Sequence, residues 1–182
     1  LLEALLREQA ENDGFNRLAL LAGIDRRQIG ILRAYSRYLR QTGLPFSQTS
    51  VERCLAAHFG IARHLVELFA ALFAQQGDEQ RAAALSEELN AALLQVSNPD
   101  DDRILAALHT VIQATLRTNA YQTDASGRAK DYLSFKLSSR DIPFLPAPVP
   151  LYEIFVYSER VEGVHLRGAR VARGGLRWSD RM

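Results

Sequence analysis

The hydrophobic period of this chain changes once, after Asn119, and no other feature constrains the fold as strongly. Before that point apolar residues recur every three or four positions, as in Ile104, Leu108 and Val111, which is the period of an amphipathic helix. Beyond it, residues 132–137 alternate apolar and polar side chains with the period of a strand. The sequence therefore predicts an α+β fold, with a helical domain of about five to six helices over residues 1–120 and a few β-strands over residues 121–182.

Caps and helix breakers divide the helical part into segments. The predicted helices occupy roughly residues 1–11, 26–42, 47–76, 79–96 and 99–119. Asp25 is placed to cap the second helix, and Ser47 or Ser50 the third. Gly60 lies within the third helix and costs about 1 kcal/mol relative to alanine, so we expect a kink or a break there.

The second predicted helix is rich in arginine. Its apolar positions, which include Ile29, Leu32 and Leu39, keep a helical period and predict the buried side. The arginines then fall largely on the opposite, solvent-facing side: Arg26, Arg27, Arg33, Arg37 and Arg40. A solvated face is favoured over a nucleic-acid surface.

Three consecutive aspartates, residues 100–102, open the last predicted helix. They follow a capping position and Pro99, and negative charge is favourable at a helix N-terminus because the first amides are exposed. A Mg²⁺ site is the alternative, but no further acidic partner accompanies them, so capping is favoured. His58 and His64 are six residues apart, which does not place them on one helical face as a metal pair, so both are expected to be ordinary helix residues.

A stiff connector divides the strand-forming part. Four of the six prolines lie within residues 142–150, and this density excludes a helix or a central strand. Strands are predicted at residues 132–137, 152–157 and 164–167, with a turn at Glu162-Gly163.

Composition limits the class of protein and its partners. Hydrophobic residues make up 47%, charged residues 24%, and the net charge is +1, which indicates neither disorder nor a polyanionic partner. Six arginines and two acids lie between Arg160 and Met182, so positive charge is concentrated there. No apolar run approaches the ~20 residues of a membrane span.

Cys54 has no second cysteine to pair with, which fits a reducing compartment. We therefore expect Cys54 to be a small buried side chain, and the protein to be soluble and cytoplasmic.

The most unusual residues stand together in the segment VARGGLRWSDR, residues 171–181. In Arg173-Gly174-Gly175 the glycines allow a backbone to approach a ligand, and a guanidinium matches a carboxylate, so the segment could cradle a carboxylate. Gly-Gly is equally typical of a hairpin turn. The segment is neither a Walker loop nor a Rossmann fingerprint, and no catalytic triad spacing is recognisable in the chain.

The wider context of this segment resembles the start of the catalytic domain of the large, NAD-specific glutamate dehydrogenases. The resemblance covers about residues 115–181 and is carried by EIFVYS, VHLRG, VARGGLRWSDR, RTN and YLSFK. In the smaller glutamate dehydrogenases the corresponding segment reads lysine-Gly-Gly-Leu/Ile-Arg-aromatic, and its lysine binds the side-chain carboxylate of the substrate. Here Arg173 stands in place of that lysine, Gly174 and Gly175 match the glycines, and Arg177-Trp178 match the final pair.

This resemblance implies that Arg173 binds the substrate carboxylate and that Gly174 and Gly175 permit close approach. Arg177 either contacts the substrate or holds the strand in place. Arginine in place of lysine changes the reach and the donor geometry.

The resemblance also implies an activity: oxidative deamination of L-glutamate to 2-oxoglutarate and ammonia, with NAD as cofactor. Residues 121–182 would be the start of the substrate-binding domain. In this family the catalytic lysine and the NAD-binding domain come later, so the chain is expected to be an internal fragment that is inactive alone, with neither a catalytic residue nor a metal site.

The competing hypothesis is a non-catalytic helical module for oligomerisation or regulation. Both hypotheses are compatible, because a large multidomain enzyme needs helices to position its subunits, and a homo-oligomer is expected for the full-length protein. Nucleic-acid binding by the arginine-rich end is disfavoured, because acids are interspersed and no series of stacking aromatics is present. No membrane partner is expected.

Overall fold

The computed structural model describes residues 11–74 and 77–168 and the backbone of the strand at 176–178. Its helices are α1 (Leu18–Leu21), α2 (Arg26–Gln41), α3 (Gln48–Ala57), α4 (Phe59–Phe73), α5 (Glu79–Leu93) and α6 (Pro99–Gln113). Its strands are β1 (Thr115–Thr118), β2 (Leu133–Ser138), β3 (Tyr152–Tyr157), β4 (Glu162–Arg167) and β5 (Leu176–Trp178). The α+β class is confirmed, while the helix predicted at residues 1–11 lies almost wholly outside the described residues.

The helices begin where side chains can cap them. Asp25 and Gln28 form a reciprocal capping box at the start of α2, and the Ser47 hydroxyl accepts from the Ser50 amide at the start of α3. The Asn98 side chain accepts from the amides of Asp100 and Asp101, so the predicted start of α6 is also confirmed. Each cap satisfies amides that the first helical turn leaves without an intrahelical partner.

The break expected at Gly60 occurs at His58, between α3 and α4. His58 leaves the helical region, with φ −110° and ψ 46°, and the two helix axes differ by 98°. Both helices bury apolar residues on either side of this corner, including Cys54, Leu55 and Leu65. No single helix in the described part is long and apolar enough to cross a membrane, and the one pair that reaches that length, α3 with α4, is bent at this corner.

The strands form one antiparallel sheet in the order β1-β2-β3-β4-β5. Residues 142–150 contain neither helix nor strand, as their prolines predict. Phe135 of β2 lies opposite Phe155 of β3, which lies opposite Val164 of β4. All three side chains are completely buried, so this row marks the face of the sheet that packs against the helices.

Two predictions about this region are wrong. Residues 115–118 form strand β1 instead of continuing the helix to residue 119, and the Leu116 side chain is 47% exposed. The edge of β2 offers backbone partners that residues 115–118 take in place of another helical turn. Glu162-Gly163 begins β4 instead of forming a turn, because the chain has already reversed at residues 158–161, where the Ser158 amide donates to the Val161 carbonyl.

Helix α2 packs its tyrosines on the sheet and joins the two halves of the fold. The Tyr35 ring stacks on Phe135 at 4.3 Å between centroids, and Tyr38 lies 5.6 Å from Phe155. Phe69 of α4 meets both Tyr35 and Phe135 edge-on at 6.0 Å. Helices and strands therefore contribute to one continuous hydrophobic cluster.

The prediction that the arginines of α2 largely face solvent is wrong for Arg33 and Arg37. Arg33 is 3% exposed, and its Nε and one Nη donate to the two oxygens of Asp13 at 2.7 and 2.8 Å. Arg37 is half-buried and donates to Glu11 at 2.8 Å. The reason is that the chain preceding α1 packs against the polar side of α2. It brings the carboxylates of Asp13 and Glu11 to the arginines there.

We predict that Asn98→Ala lowers the free energy of unfolding by about 1 kcal/mol, because two first-turn amides of α6 lose their acceptor. Denaturant unfolding of the chain measures this change. Asn98→Asp is the matched control, since it keeps an acceptor at the same position. Equal losses in both variants would contradict the capping role.

Candidate functional site

The predicted site residues stand next to β5 in the sequence, and β5 is the part of this segment that the structure places. Arg173, Gly174 and Gly175 lie outside the described residues. Arg177 lies in β5, where its backbone is paired opposite Val164 of β4. The structure therefore shows where β5 lies and which strand it pairs with, namely β4.

Strand β5 is the edge strand next to β4. Gly163, Val164 and His165 pair with Trp178, Arg177 and Leu176 respectively. The backbone of Arg177 thus continues the row of Phe135, Phe155 and Val164 across the sheet. Both roles expected of Arg177, contact with the substrate and holding the strand in place, stay predictions.

Two carboxylates are buried on the same face of the sheet, next to this row. Glu153 of β3 is 1% exposed and Glu162 of β4 is 6% exposed. The Tyr38 hydroxyl donates to Glu153 Oε2 at 2.7 Å, and Gln41 Nε2 donates to Glu162 Oε1 at 3.3 Å. Buried carboxylates are stable only when hydrogen bonds or charges replace their lost hydration, and the last turn of α2 supplies these.

A further carboxylate connects α2 to β3. Glu11 accepts from Arg37 of α2 at 2.8 Å and from the Tyr157 hydroxyl of β3 at 3.0 Å. Arg37 Nε also lies 3.9 Å from Glu162 Oε2. Glu11, Arg37 and Glu162 therefore form a polar connection between the chain before α1, helix α2 and the two central strands.

The opposite face of the sheet has the opposite charge. Arg117, Lys136, Ile154 and His165 follow one another in register across β1 to β4, and the Lys136 ammonium lies 4.3 Å from the centre of the Tyr152 ring. Among the described strand residues of this face, none is acidic. The buried acids thus face the helices and the strand cations face away from them.

Sequence reasoning misses Tyr38, Glu153 and Glu162 as residues near the site. Tyr38 is not among the core positions expected for its helix, and Glu162 is predicted in a turn. The alternation of residues 152–157 contains a usable signal, because it places Glu153 on the same face as Phe155 and Tyr157. A carboxylate on the apolar face of a strand needs a buried partner.

The described residues fit neither a metal ion nor a dinucleotide. They contain no group of three or more His, Cys, Asp or Glu side chains able to hold a metal. Asp101, one of the candidate Mg²⁺ ligands, instead lies 3.3 Å from His58. A dinucleotide site needs a parallel strand–helix–strand unit whose first helical amides bind the pyrophosphate. In the described part adjacent strands are all antiparallel. The first amides are already bound by side-chain caps in four helices: α2, α3, α5 and α6.

A shallow depression of about 460 Å³ lies at the β1 edge, the edge opposite β5. Its lining consists of Phe73, Thr118, Tyr121, Gln122 and Thr123. None of these side chains is charged, so the depression lacks the cation that a dicarboxylate ligand requires.

Cys54 and His109 are packed in the interior of the fold. Cys54 is buried as expected, and burial together with the nearby Asp101 raises the pKa of its thiol to about 12, which keeps it protonated and unreactive. His109 of α6 is 5% exposed with Ser86 Oγ 3.4 Å from its Nε2, and burial lowers its pKa. Neither residue has the surroundings of a catalytic group.

His109 generates a pH-dependence of stability. Its folded-state pKa lies below the ordinary value of 6.5, so the unfolded chain binds the proton more readily. We predict that the free energy of unfolding falls as pH drops from about 6.5 toward the lowered pKa and then levels off for this residue. Urea unfolding of the wild type and of His109→Gln at about pH 7.5 and about pH 5.5 isolates the contribution. An identical decrease in both proteins would contradict it.

Comparison with known proteins gives two family matches. The family model "Bacterial NAD-glutamate dehydrogenase, catalytic domain" matches residues 88–182, and "Glutamate dehydrogenase, helical motif 3" matches residues 10–75. The catalytic-domain match begins within α5 and so includes α6 as well as the strands. The domain boundary that the sequence analysis places at residue 120 stays a prediction.

Several relatives are called NAD-specific glutamate dehydrogenase, and three of them span bacteria and a fungus. The chain is 51% identical over 178 residues to the protein from Pseudomonas aeruginosa, covering 94% of this chain, and 49% identical over 186 residues to that from Mycobacterium tuberculosis, covering 98%. It is 27% identical over 174 residues to the protein from Neurospora crassa, covering 87%. The chain spans 11% of the length of the two bacterial relatives and 16% of the fungal one.

Proposed function

Because the chain belongs to the family of NAD-specific glutamate dehydrogenases, we propose that the protein containing it oxidatively deaminates L-glutamate to 2-oxoglutarate and ammonia, with hydride transfer to NAD. The observation that carries the proposal is the 51% identity over 178 residues to a glutamate dehydrogenase of this family. The activity is that of the whole enzyme, since the chain spans 11% of that relative.

Within that enzyme the chain supplies scaffold and part of the substrate site. Arg173 binds a carboxylate of the substrate, and Gly174 and Gly175 let the backbone approach it. Leu176, Arg177 and Trp178 form β5, so the proposed binding residues are covalently continuous with a strand of the sheet. Continuity with a packed sheet supports this assignment, because binding residues need a rigid support.

The rest of the reaction is assigned to other parts of the enzyme. The described residues do not fit a dinucleotide, which supports an NAD site outside this chain. The family resemblance places the catalytic lysine in a later region as well. The full-length enzyme is proposed to be a cytoplasmic homo-oligomer that binds neither nucleic acid nor membrane, and the unpaired buried Cys54 is consistent with a reducing compartment. The continuous core of helices and sheet supports a scaffold role over a separate helical module.

We predict that the isolated chain does not reduce NAD in the presence of L-glutamate, because the dinucleotide site and the catalytic lysine are assigned to other regions of the enzyme. Absorbance of NADH measured with purified chain and with the full-length enzyme tests this directly. Catalytic turnover by the chain alone would overturn the assignment of the chemistry to other regions.

In the full-length enzyme, Arg173→Gln should raise the KM for glutamate about 10- to 100-fold, because a charge-assisted bond to a carboxylate is lost. Arg173→Lys is the matched control and should retain much of the affinity, since it keeps the positive charge. The KM for NAD should change little in either variant. An unchanged glutamate KM in Arg173→Gln would exclude a carboxylate contact.

A further inference from the structure

We propose that Tyr38 and Glu153, with Gln41 and Glu162, are positioning residues for the substrate-binding segment. They touch no reacting atom; they hold β3 and β4 against α2 and thereby fix β5, which continues directly from Arg173-Gly174-Gly175. The inference rests on the proposed function, because it concerns how the same segment is held in place.

The first step is the attachment of the central strands to α2. Tyr38 is 0% exposed and Glu153 is 1% exposed, and the Tyr38 hydroxyl donates to the Glu153 carboxylate at 2.7 Å. Gln41, one turn further along α2, binds Glu162 at the beginning of β4. Hydrogen bonds to buried carboxylates are directional and costly to break, so they fix the strands along the helix axis more sharply than apolar contacts do.

The second step leads from β4 to β5. Glu162 is followed by Gly163, Val164 and His165, which are the residues paired with β5. The backbone of β5 is hydrogen-bonded to β4 and to no other described strand, so its position depends on where β4 lies. A displacement of β4 relative to α2 is therefore passed to β5, the strand that directly follows Gly175 in the sequence.

The third step separates positioning from general stability. The same helix carries Tyr35, whose hydroxyl lies 2.8 Å from Thr115 Oγ1 in β1. Tyr35 and Tyr38 are both 0% exposed, and the hydroxyl of each is hydrogen-bonded to a residue of the sheet. Tyr38 reaches the strand next to β4, whereas Tyr35 reaches the edge farthest from β5.

The test compares Tyr38→Phe with Tyr35→Phe in the full-length enzyme. Each substitution deletes one buried hydroxyl and keeps the ring. Tyr38→Phe should lower the thermal unfolding temperature more, because it takes a donor from a buried carboxylate, whereas the Thr115 hydroxyl keeps its bond to the Val111 carbonyl; the glutamate KM is therefore the deciding measurement. We expect Tyr38→Phe to raise the KM for glutamate about fivefold, with a smaller change in kcat and an unchanged KM for NAD, because misplacement of a binding group weakens binding of that ligand. Tyr35→Phe should leave the glutamate KM within about twofold of wild type.

A double variant tests whether Tyr38 acts through Arg173. If Tyr38 positions the segment, Tyr38→Phe should add no further rise in glutamate KM to Arg173→Gln, because the contact it positions is already absent. Gln41→Leu, which removes the donor to Glu162, should behave as Tyr38→Phe does. Equal rises in the two tyrosine variants, or multiplication of the Tyr38→Phe and Arg173→Gln effects, would overturn the inference.

The outcomes also separate this inference from the proposed function. A raised glutamate KM in Arg173→Gln beside an unchanged one in Tyr38→Phe leaves the substrate role of Arg173 standing and overturns the positioning role. An unchanged glutamate KM in Arg173→Gln overturns the substrate role itself, and the positioning role with it.

Discussion

The packing of α2 against the sheet holds the two halves of this fold together. Two tyrosines on consecutive turns of the helix lie flat or tilted against Phe135 and Phe155, and their hydroxyls reach Thr115 and Glu153. Each ring buries a large apolar area while its polar end is hydrogen-bonded, so one residue contributes to packing and to register at once. Without this contact the helices and the strands would each lose the other half of their core.

Buried polar groups explain why this contact is specific. A purely apolar interface would tolerate small shifts of the sheet along α2, whereas carboxylates at Glu153 and Glu162 must meet donors at Tyr38 and Gln41. Arg33 and Arg37 make the same kind of contact with Asp13 and Glu11, which belong to the chain before α1. Helix α2 is therefore fixed by polar contacts to the sheet and to the chain before α1. Strand β5, which adjoins the proposed substrate residues, is in turn held by its pairing with β4.

The accuracy of the sequence predictions follows how far apart the interacting residues are. A cap before Pro99 and the role of the aspartates after it are predicted correctly, because a cap and its amides lie within three residues; the structure identifies the cap as Asn98. Residues 115–118 are not, because their strand conformation depends on pairing with β2, about twenty residues later in the chain. The prediction for Arg33 is wrong for the same reason: its partner Asp13 belongs to another segment, and the helical period shows only that Arg33 is off the apolar stripe. For the candidate site, Arg173, Gly174 and Gly175 are recognisable only through family resemblance, and their roles stay predictions.

Local interactions along the chain are enough to specify most helices and strands, and residue types alone indicate the family. Caps, prolines and the two hydrophobic periods act over short distances, since the hydrogen bonds that stabilise a helix end or exclude a helix are made within a few residues. The segment VARGGLRWSDR and its context carry the family resemblance in their residue types. Which polar side chains are buried, in contrast, is a property of the tertiary structure. Burial of Glu153, Glu162 and Arg33 depends on surfaces supplied by distant parts of the chain, and a residue's own neighbours in sequence do not specify what will cover it.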